Sequence, residues 1–330
     1  MRDIDLSNDL FIKQPVLNLL PQLDALVFDV DGVIVDVSGT FRVVICQAAE
    51  LYGERFLGFE PGPLLRVTEV ELFKAAGGFN NDWDLCSAVV LLYVVKSLTS
   101  HSRQSTTLRE VSPTLAEYTE EIGRRGGGLA AAEEYLVHGL TPDQRRELSS
   151  RWTPRLITQI CEELYAGDDH CVQLYGREPE HVHGPGLCEQ EPVLLRPETL
   201  PAGRKLGVLT GRTREETRFA LGRAGLIGLI PEAHWVTHDD GVKKPEGRAL
   251  WEVYTRLNFK LALYVGDTLD DLRTVGNYRT LKVSDHAKVL SGLVLTGPAG
   301  VANRQTFLER GAEIVAPDVN AILTYLKHQR

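Results

Sequence analysis

The chain lacks the features that mark membrane, secreted and nucleic-acid-binding proteins. Its longest apolar run, Leu85 to Val95, has 11 residues, whereas a membrane-spanning helix needs about 20. The first residues, MRDIDLSND, carry acids where a secretory signal has positive charge followed by an apolar stretch. With 36 basic and 45 acidic residues, the net charge is −9. We therefore expect no membrane span, no signal sequence and no nucleic-acid partner.

The cysteines also lack a pattern. The chain has only five, at scattered positions 46, 86, 161, 171 and 188 and without a C-x-x-C pair. An odd, dispersed set indicates a reduced chain and a cytoplasmic location. The length of 330 residues, 43% of them apolar, is enough for about two domains that need neither disulfides nor a structural metal.

Short apolar runs that end in polar residues are the clearest structural pattern. Three of them are Ala25–Phe28, Leu206–Leu209 and Ala262–Val265, which are followed by Asp29, Thr210 and Gly266-Asp267 respectively. Helical patterns follow the second and third runs, at 214–224 and 269–275. Strand, polar turn and helix in succession predict an α/β fold with a doubly wound, Rossmann-like parallel sheet. Ligands bind beyond the carboxyl ends of such strands, so these polar residues should converge.

A long, mainly helical segment separates the first strand from the second. Apolar spacing predicts helices at 42–52, 67–75, 83–98, 129–138 and 154–165, and the polar stretch 100–112 is expected to be a mobile loop. We predict an N-terminal extension at 1–22, a catalytic core formed by 23–36 with 200–330, and a helical cap domain at 37–199 inserted after the first strand.

The acids at the strand ends indicate a site for a divalent cation. Asp29 and Asp31 flank Val30, and Gly32 lets the chain turn so that both carboxylates can approach one point. Asp267 and Asp271 would share one face of a helix that starts at Thr268. Clustered carboxylates are unfavourable without a cation, and oxygen ligands suit Mg²⁺. The alternative interpretation is acids that complement a helix dipole, which we favour for Asp270.

The polar groups after the second strand, and a lysine beyond them, indicate binding of an anion. Thr210 and the Gly211 amide could hold phosphoryl oxygens, although helix capping by Thr210 or Thr213 is the simpler interpretation. Lys244 precedes Pro245 and could neutralise both a phosphate and a carboxylate. Lys243 is its competitor for that role.

Taken in order, D-x-D-G-V, L-T-G-R, K-K-P and V-G-D-T-x-D-D resemble the motifs of the haloacid-dehalogenase superfamily of aspartate-nucleophile phosphohydrolases. The resemblance implies that Asp29 attacks phosphorus and that Asp31 is the general acid and base. It also implies that Thr210 and Gly211 bind the phosphoryl group and that Lys244 balances charge. Mg²⁺ would be held by Asp29, the Asp31 main-chain carbonyl and Asp267, with Asp271 as a further ligand or close by.

The helical insertion contains residues that could contact the rest of the substrate. Arg42 follows the catalytic loop closely, and the stretch 73–84 resembles the G-G-F-N-N-D-W-D segment of a superfamily subgroup, some of whose members are fused to a histidine-biosynthesis enzyme. This resemblance implies substrate-binding roles for Lys74, Asn80, Asn81 and Asp82. The alternative is that Asn80 or Asp82 merely caps the helix beginning near Trp83.

These patterns predict a cytoplasmic, Mg²⁺-dependent phosphatase that hydrolyses a small phosphorylated metabolite through an aspartyl phosphate. A phosphomutase and a non-catalytic protein that binds a phosphorylated ligand are the alternatives. The residues do not indicate the substrate or the oligomeric state. A zinc site formed by His170, Cys171, His181, His183 and Cys188 is disfavoured because close C-x-x-C pairs are missing.

Overall fold

A computed structural model describes residues 4–5, 10–79, 81–281, 287–297 and 300–328. The chain divides into two compact units, which are Met1–Ser38 with Glu191–Arg330 and the intervening Gly39–Gln190. The sequence assigned residues 191–199 to the helical insertion, but they belong to the first unit. Two backbone hydrogen bonds hold them there, from Asp36 N–H to the Pro192 carbonyl and from Leu194 N–H to the Ile34 carbonyl, each 2.8 Å long.

The first unit, called the sheet unit below, is built on one sheet. Its strands are β1 Ile4–Asp5, β2 Phe11–Ile12, β3 Ala25–Phe28, β4 Lys205–Leu209, β5 Trp235–Val236, β6 Leu261–Gly266, β7 Lys288–Val294 and β8 Ile314–Ala316. They lie in the order β1-β2-β8-β7-β6-β3-β4-β5. Strands β3 to β8 pair parallel with one another, which confirms the predicted doubly wound sheet. The winding reverses at β3, which pairs with β4 on one side and β6 on the other.

Helices cover both faces of the sheet. The described helices of this unit are α1 Gln14–Leu17, α10 Arg214–Arg223, α11 Gly247–Leu257, α12 Leu269–Arg279, α13 Asn303–Glu309 and α14 Val319–Lys327. Alternate residues of β3 point to opposite faces, so Leu26 and Phe28 join a core with α10 and α14, whereas Ala25 and Val27 join a core with α11 and α12. Because both faces are covered, the strands are apolar at nearly every position.

Part of the predicted N-terminal extension is integrated into the sheet. Strand β2 pairs antiparallel with β8, with Phe11 opposite Val315, and Ile12 is only 1% exposed. Two-residue strands leave no periodic pattern in the sequence, which is why residues 1–22 gave no sign of this pairing.

The second unit, called the helical unit below, is an assembly of helices. They are α2 Phe41–Leu57, α3 Val70–Ala76, α4 Asp82–Ser100, α5 Ser105–Glu110, α6 Leu115–Arg124, α7 Gly128–Val137, α8 Pro142–Arg151 and α9 Pro154–Tyr175. The expected loop at 100–112 is therefore wrong for the six residues of α5. This short helix depends on tertiary contacts, because Leu108 is buried and its carbonyl accepts a hydrogen bond from Lys96.

Helix α4 is the central helix of this unit. Among the described residues it is the one helix long and apolar enough to cross a membrane, but 83% of the relevant window is buried within the protein. That burial is typical of a core helix.

Candidate active site

The carboxyl ends of β3, β4 and β6 lie at the same level. Phe28 is opposite both Val208 and Val265, so the residues that follow these strands meet at one edge of the sheet. Asp29 donates its N–H to the Val265 carbonyl at 2.9 Å, which holds the start of the loop after β3 against β6. The winding also reverses here, and this is where doubly wound sheets bind ligands.

The Asp29 side chain is buried and held through both oxygens. It is 4% exposed; its Oδ1 accepts the Val30 N–H at 2.8 Å and its Oδ2 accepts Lys244 Nζ at 2.6 Å. Burial raises the pKa of Asp29 to about 7, although the charge of Lys244 opposes this shift. A carboxylate in this environment favours a further positive charge beside it.

Lys244 joins two of the acids. Its Nζ also donates to Asp271 Oδ1 at 2.8 Å, whereas its neighbour Lys243 is exposed. Burial alone would lower the pKa of Lys244, but the charges of Asp271 and Asp29 outweigh it and hold that pKa well above its ordinary value. Of the two neighbouring lysines, Lys244 is therefore the one that places a positive charge inside the site.

Asp267 is packed closely between two glycines. Gly32 has a φ of 69°, and a Cβ on it or on Gly297 would collide with the Asp267 carboxylate. Burial, followed by the charges of Asp271 and Asp29, raises the pKa of Asp267 well above its ordinary value. Gly297 was not singled out from the sequence, although the Thr296-Gly297 pair after β7 repeats the Thr210-Gly211 pattern after β4.

Asp271 is fully engaged by neighbouring donors. Its Oδ1 accepts Lys244 and the Tyr264 hydroxyl (2.6 Å), and its Oδ2 accepts the Asp267 N–H (3.1 Å) and both the N–H (2.9 Å) and hydroxyl (2.6 Å) of Thr268. Although burial opposes it, Lys244 leads the interactions that lower the pKa of Asp271. Tyr264, which the sequence analysis did not consider, thus helps to orient this carboxylate.

Three acids are close enough to hold one cation. One oxygen from each of Asp29, Asp267 and Asp271 lies within 4.8 Å of the others. All are buried, and carboxylate oxygens are ligands that Mg²⁺ prefers. Each oxygen of Asp271 accepts at least two hydrogen bonds, whereas one is described for each oxygen of Asp29, so Asp29 and Asp267 are better placed to offer ligand atoms.

The remaining predicted residues of the sheet unit are Asp31, Thr210 and Gly211. Asp31 accepts a hydrogen bond from Arg212 Nε at 2.6 Å, and its side chain is 34% exposed. Thr210 is buried and its hydroxyl accepts the Arg212 N–H at 3.2 Å, while Gly211 is exposed with open space around it. Capping of α10 falls to Thr213, whose hydroxyl accepts the Glu216 N–H, so Thr210 is not the helix cap.

Comparison with solved structures shows that this fold is shared. Phosphatase Tt82 from Thermococcus thioreducens is 22% identical, with 92% of this chain and 99% of that one covered and a TM-score of 0.59. The chain has the fold of this phosphatase. A Northeast Structural Genomics Consortium target is similar at 16% identity, with 91% and 97% of the two chains covered and a TM-score of 0.60.

Sequence comparison adds one distant relative. No family model matches the chain. A protein named imidazoleglycerol-phosphate dehydratase from Phytophthora nicotianae is 25% identical over 262 residues, which are 76% of this chain. The match spans only 40% of that longer protein, and the dehydratase name describes the longer protein.

The helical unit is inserted between β3 and β4, and several of its predicted substrate-binding residues form ion pairs or hydrogen bonds within that unit. Arg42 forms an ion pair with Glu71, and burial lowers the pKa of Arg42 although Asp82 opposes this. Lys74 Nζ lies 2.7 Å from an oxygen of Asp82 and 3.1 Å from the Phe79 carbonyl. Asn81 caps α4 by accepting the Trp83 N–H at 2.9 Å. Asn80 lies outside the described residues.

The histidines of the disfavoured zinc set contact carboxylates. His170 Nε2 lies 2.8 Å from Glu189 Oε1, His183 Nδ1 lies 3.0 Å from Asp168 Oδ1, and His181 Nε2 lies 3.8 Å from Glu180 Oε2. Cys171 and Cys188 are buried. Within the described part of the chain, the strand-end acids are the group close enough for a shared metal.

Proposed function

We propose that the protein is a Mg²⁺-dependent phosphatase that hydrolyses a small phosphorylated metabolite through an aspartyl phosphate. The observation that carries this proposal is the buried Asp29 carboxylate, which is bonded to Lys244 and lies beside Asp267 at the point where the sheet winding reverses. A carboxylate held in this way can attack phosphorus, and the lysine can offset the charge of the transferred group. The fold shared with phosphatase Tt82 supports the same reaction class.

The acids fit a hard divalent cation. Asp29 and Asp267 are buried acids with raised pKa values, which is the expected state of clustered carboxylates whose charge Lys244 offsets only in part. We propose that these two carboxylates and the main-chain carbonyl of Asp31 hold Mg²⁺, and that Asp271 orients Lys244 and the loop of Asp267. The ion would neutralise charge on the phosphoryl oxygens during transfer.

The residues of the chain then divide the reaction between them. Asp29 forms a bond to phosphorus as the bond to the leaving oxygen breaks, and Asp31 gives that oxygen a proton. In the second half, Asp31 takes a proton from water while the water oxygen bonds to phosphorus and the Asp29–phosphorus bond breaks. The Thr210 hydroxyl and the Gly211 N–H hold phosphoryl oxygens throughout, and Lys244 remains paired with Asp29.

We propose that Arg42, Lys74, Asn80, Asn81 and Asp82 contribute to recognition of the rest of the substrate. All five cysteines are buried and none forms a disulfide in the described residues, which fits a reducing cytoplasmic environment.

The test is phosphate release from p-nitrophenyl phosphate and a panel of phosphorylated metabolites, with and without Mg²⁺. We expect Mg²⁺-dependent release that Asp29→Asn abolishes, because an amide cannot form the acyl phosphate. Asp270→Asn is the matched control, since Asp270 lies at the start of the same helix as Asp271 but pairs with Arg273 at 2.9 Å.

Release that persists at the wild-type rate in Asp29→Asn would overturn the assignment of the nucleophile. Transfer of the phosphoryl group to a second sugar hydroxyl, primed by a sugar bisphosphate, would instead identify a mutase. Tight binding of a phosphorylated ligand without any turnover would identify a ligand-binding protein.

A further inference from the structure

A buried arginine connects Asp31 to a second carboxylate that the proposed reaction does not use. Arg212 Nε donates to Asp31 Oδ1 at 2.6 Å, and Arg212 Nη2 lies 3.0 Å from each oxygen of Glu191. The side chains of Arg212 and Glu191 are 1% and 0% exposed, whereas that of Asp31 is 34% exposed. The Arg212 guanidinium thus contacts a buried carboxylate, that of Glu191, and a partly exposed one, that of Asp31.

Stability alone gives little reason for this arrangement. Removing two charged groups from water is costly, and a buried ion pair can often be replaced by apolar residues without loss of stability. A planar guanidinium that contacts carboxylates through separate nitrogens does, however, fix orientation. Both oxygens of Glu191 accept from Nη2 of Arg212, and this contact directs Arg212 Nε at one oxygen of Asp31.

The backbone on both sides of this connection is also anchored. Gly32 N–H donates to the Val35 carbonyl at 2.8 Å, and Val35 forms an antiparallel bridge with Val193, two residues after Glu191. The segments that carry Asp31 and Glu191 are therefore tied to each other by the main chain as well as through Arg212.

We infer that Arg212 and Glu191 are positioning residues that orient the Asp31 carboxyl group for proton transfer. Oδ1 accepts from Arg212, so Oδ2 is the oxygen that carries the proton. In the first half of the reaction this proton passes from Oδ2 to the leaving oxygen as the phosphorus–oxygen bond breaks. In the second half, Oδ2 takes a proton from the attacking water. The inference rests on the proposed phosphatase function.

The test compares two probes that differ in their need for an acid. p-Nitrophenolate leaves readily without protonation, whereas the leaving group of phenyl phosphate is much more basic. For Glu191→Gln and Arg212→Lys we expect kcat/KM to fall about 10- to 100-fold with phenyl phosphate, because misplacement of a catalytic group costs about that much. With p-nitrophenyl phosphate the same constant, which reports the first half-reaction, should change little.

Matched controls separate positioning from a general loss of structure. Glu313→Gln and Arg256→Lys alter ion pairs of the same unit that are more exposed than the Arg212–Glu191 pair; Glu313 pairs with Arg279 and Arg256 pairs with Asp240. Neither control should change the ratio of the two constants. In an Asp31→Asn background, Glu191→Gln should also leave the ratio unchanged, because the acid that it positions is already absent.

The possible outcomes are distinct. Equal losses with both probes, or no loss with either, would overturn the positioning role and leave the phosphatase function intact. If Glu191→Gln unfolds, Arg212→Lys, alone and in the Asp31→Asn background, decides between the same outcomes. A wild-type protein without Asp29-dependent release from either probe would contradict the proposed function itself.

Discussion

The strand-end cluster of the sheet unit and the polar residues of the helical unit differ in how their charges are balanced. At the strand ends, three buried carboxylates share one ammonium group, that of Lys244. In the helical unit, Arg42 pairs with Glu71 and Lys74 pairs with Asp82, all on partly exposed side chains. An excess of buried negative charge is typical of a site that binds a cation, whereas charges paired on partly exposed side chains carry no such signal.

The uneven balance of charge also appears in the pKa values of the acids at the strand ends. Burial raises the pKa values of Asp29 and Asp267 because no opposite charge fully compensates them. Such strain is common at functional sites and uncommon elsewhere. The sheet unit therefore carries the stronger functional signal, and the following predictions test this difference, beginning with the largest effect.

Of these changes, removal of the ammonium group between Asp29 and Asp271 should have the largest effect. Lys244→Met should lower kcat at least about 100-fold, because a charge aimed at the transferred group is lost. Steady-state kinetics with p-nitrophenyl phosphate and Mg²⁺ measure it. Lys243→Met is the matched control and should retain wild-type activity, since Lys243 is exposed. Equal activity in the two variants would remove the distinction between the neighbouring lysines.

The helical unit contains one buried cation of a different kind, which should affect only stability. Lys96 is 1% exposed and donates to the Leu108 carbonyl at 2.8 Å, and burial lowers its pKa to about 8. Between this pKa and the ordinary value of 10.5, the unfolded chain binds more protons than the folded one. The folded state therefore gains stability as pH rises through this window, and below pH 8 the full cost of burying the charge remains.

Relative to Lys96→Met, the free energy of unfolding of the wild type should rise by up to about 3 kcal/mol between pH 8 and pH 10.5. Urea unfolding of both proteins at several pH values measures this difference. Lys260→Met, which removes an exposed lysine of the sheet unit, serves as the control. A difference between wild type and Lys96→Met that is independent of pH would contradict the shifted pKa.

The smallest effect concerns Asn81, for which helix capping and substrate binding can be separated. Asn81→Ala should lower the free energy of unfolding by about 1 kcal/mol through loss of the α4 cap, and Asn81→Asp should restore it because aspartate caps equally well. Denaturant unfolding measures both variants. If Asn81 also contacts substrate, Asn81→Asp will raise KM for the best metabolite while stability remains normal. An unchanged KM would leave capping as its role.

Much of the sheet unit could be predicted from sequence because its signals are local. Apolar runs such as Ala25–Phe28 identify buried strands, and the polar residue after each run lies where parallel strands end. The predicted fold class is confirmed for this reason. Contacts between distant segments leave no such signal, as with the short pairing of β2 with β8 or helix α5.

The site itself was only partly accessible to sequence reasoning. The order of Asp29, Asp31, Thr210, Lys244 and Asp267 indicated the chemistry, but nothing in it indicated Tyr264, Gly297 or Glu191. Each of these residues contacts a site residue or its neighbour, and the contact is visible only in the folded chain. A run of apolar residues does not distinguish a structural tyrosine from one that orients a carboxylate.

Local sequence patterns were enough to predict the doubly wound sheet and the polar residues at its strand ends, because hydrophobic periodicity and turn residues are visible within a few positions. Which charged side chains contact one another could be seen only in the folded structure. Asp29, Lys244 and Asp271 meet across more than 200 positions, and Arg212 is placed between two acids from different segments. Burial and electrostatic pairing depend on distance in space, and that distance is set when the chain folds.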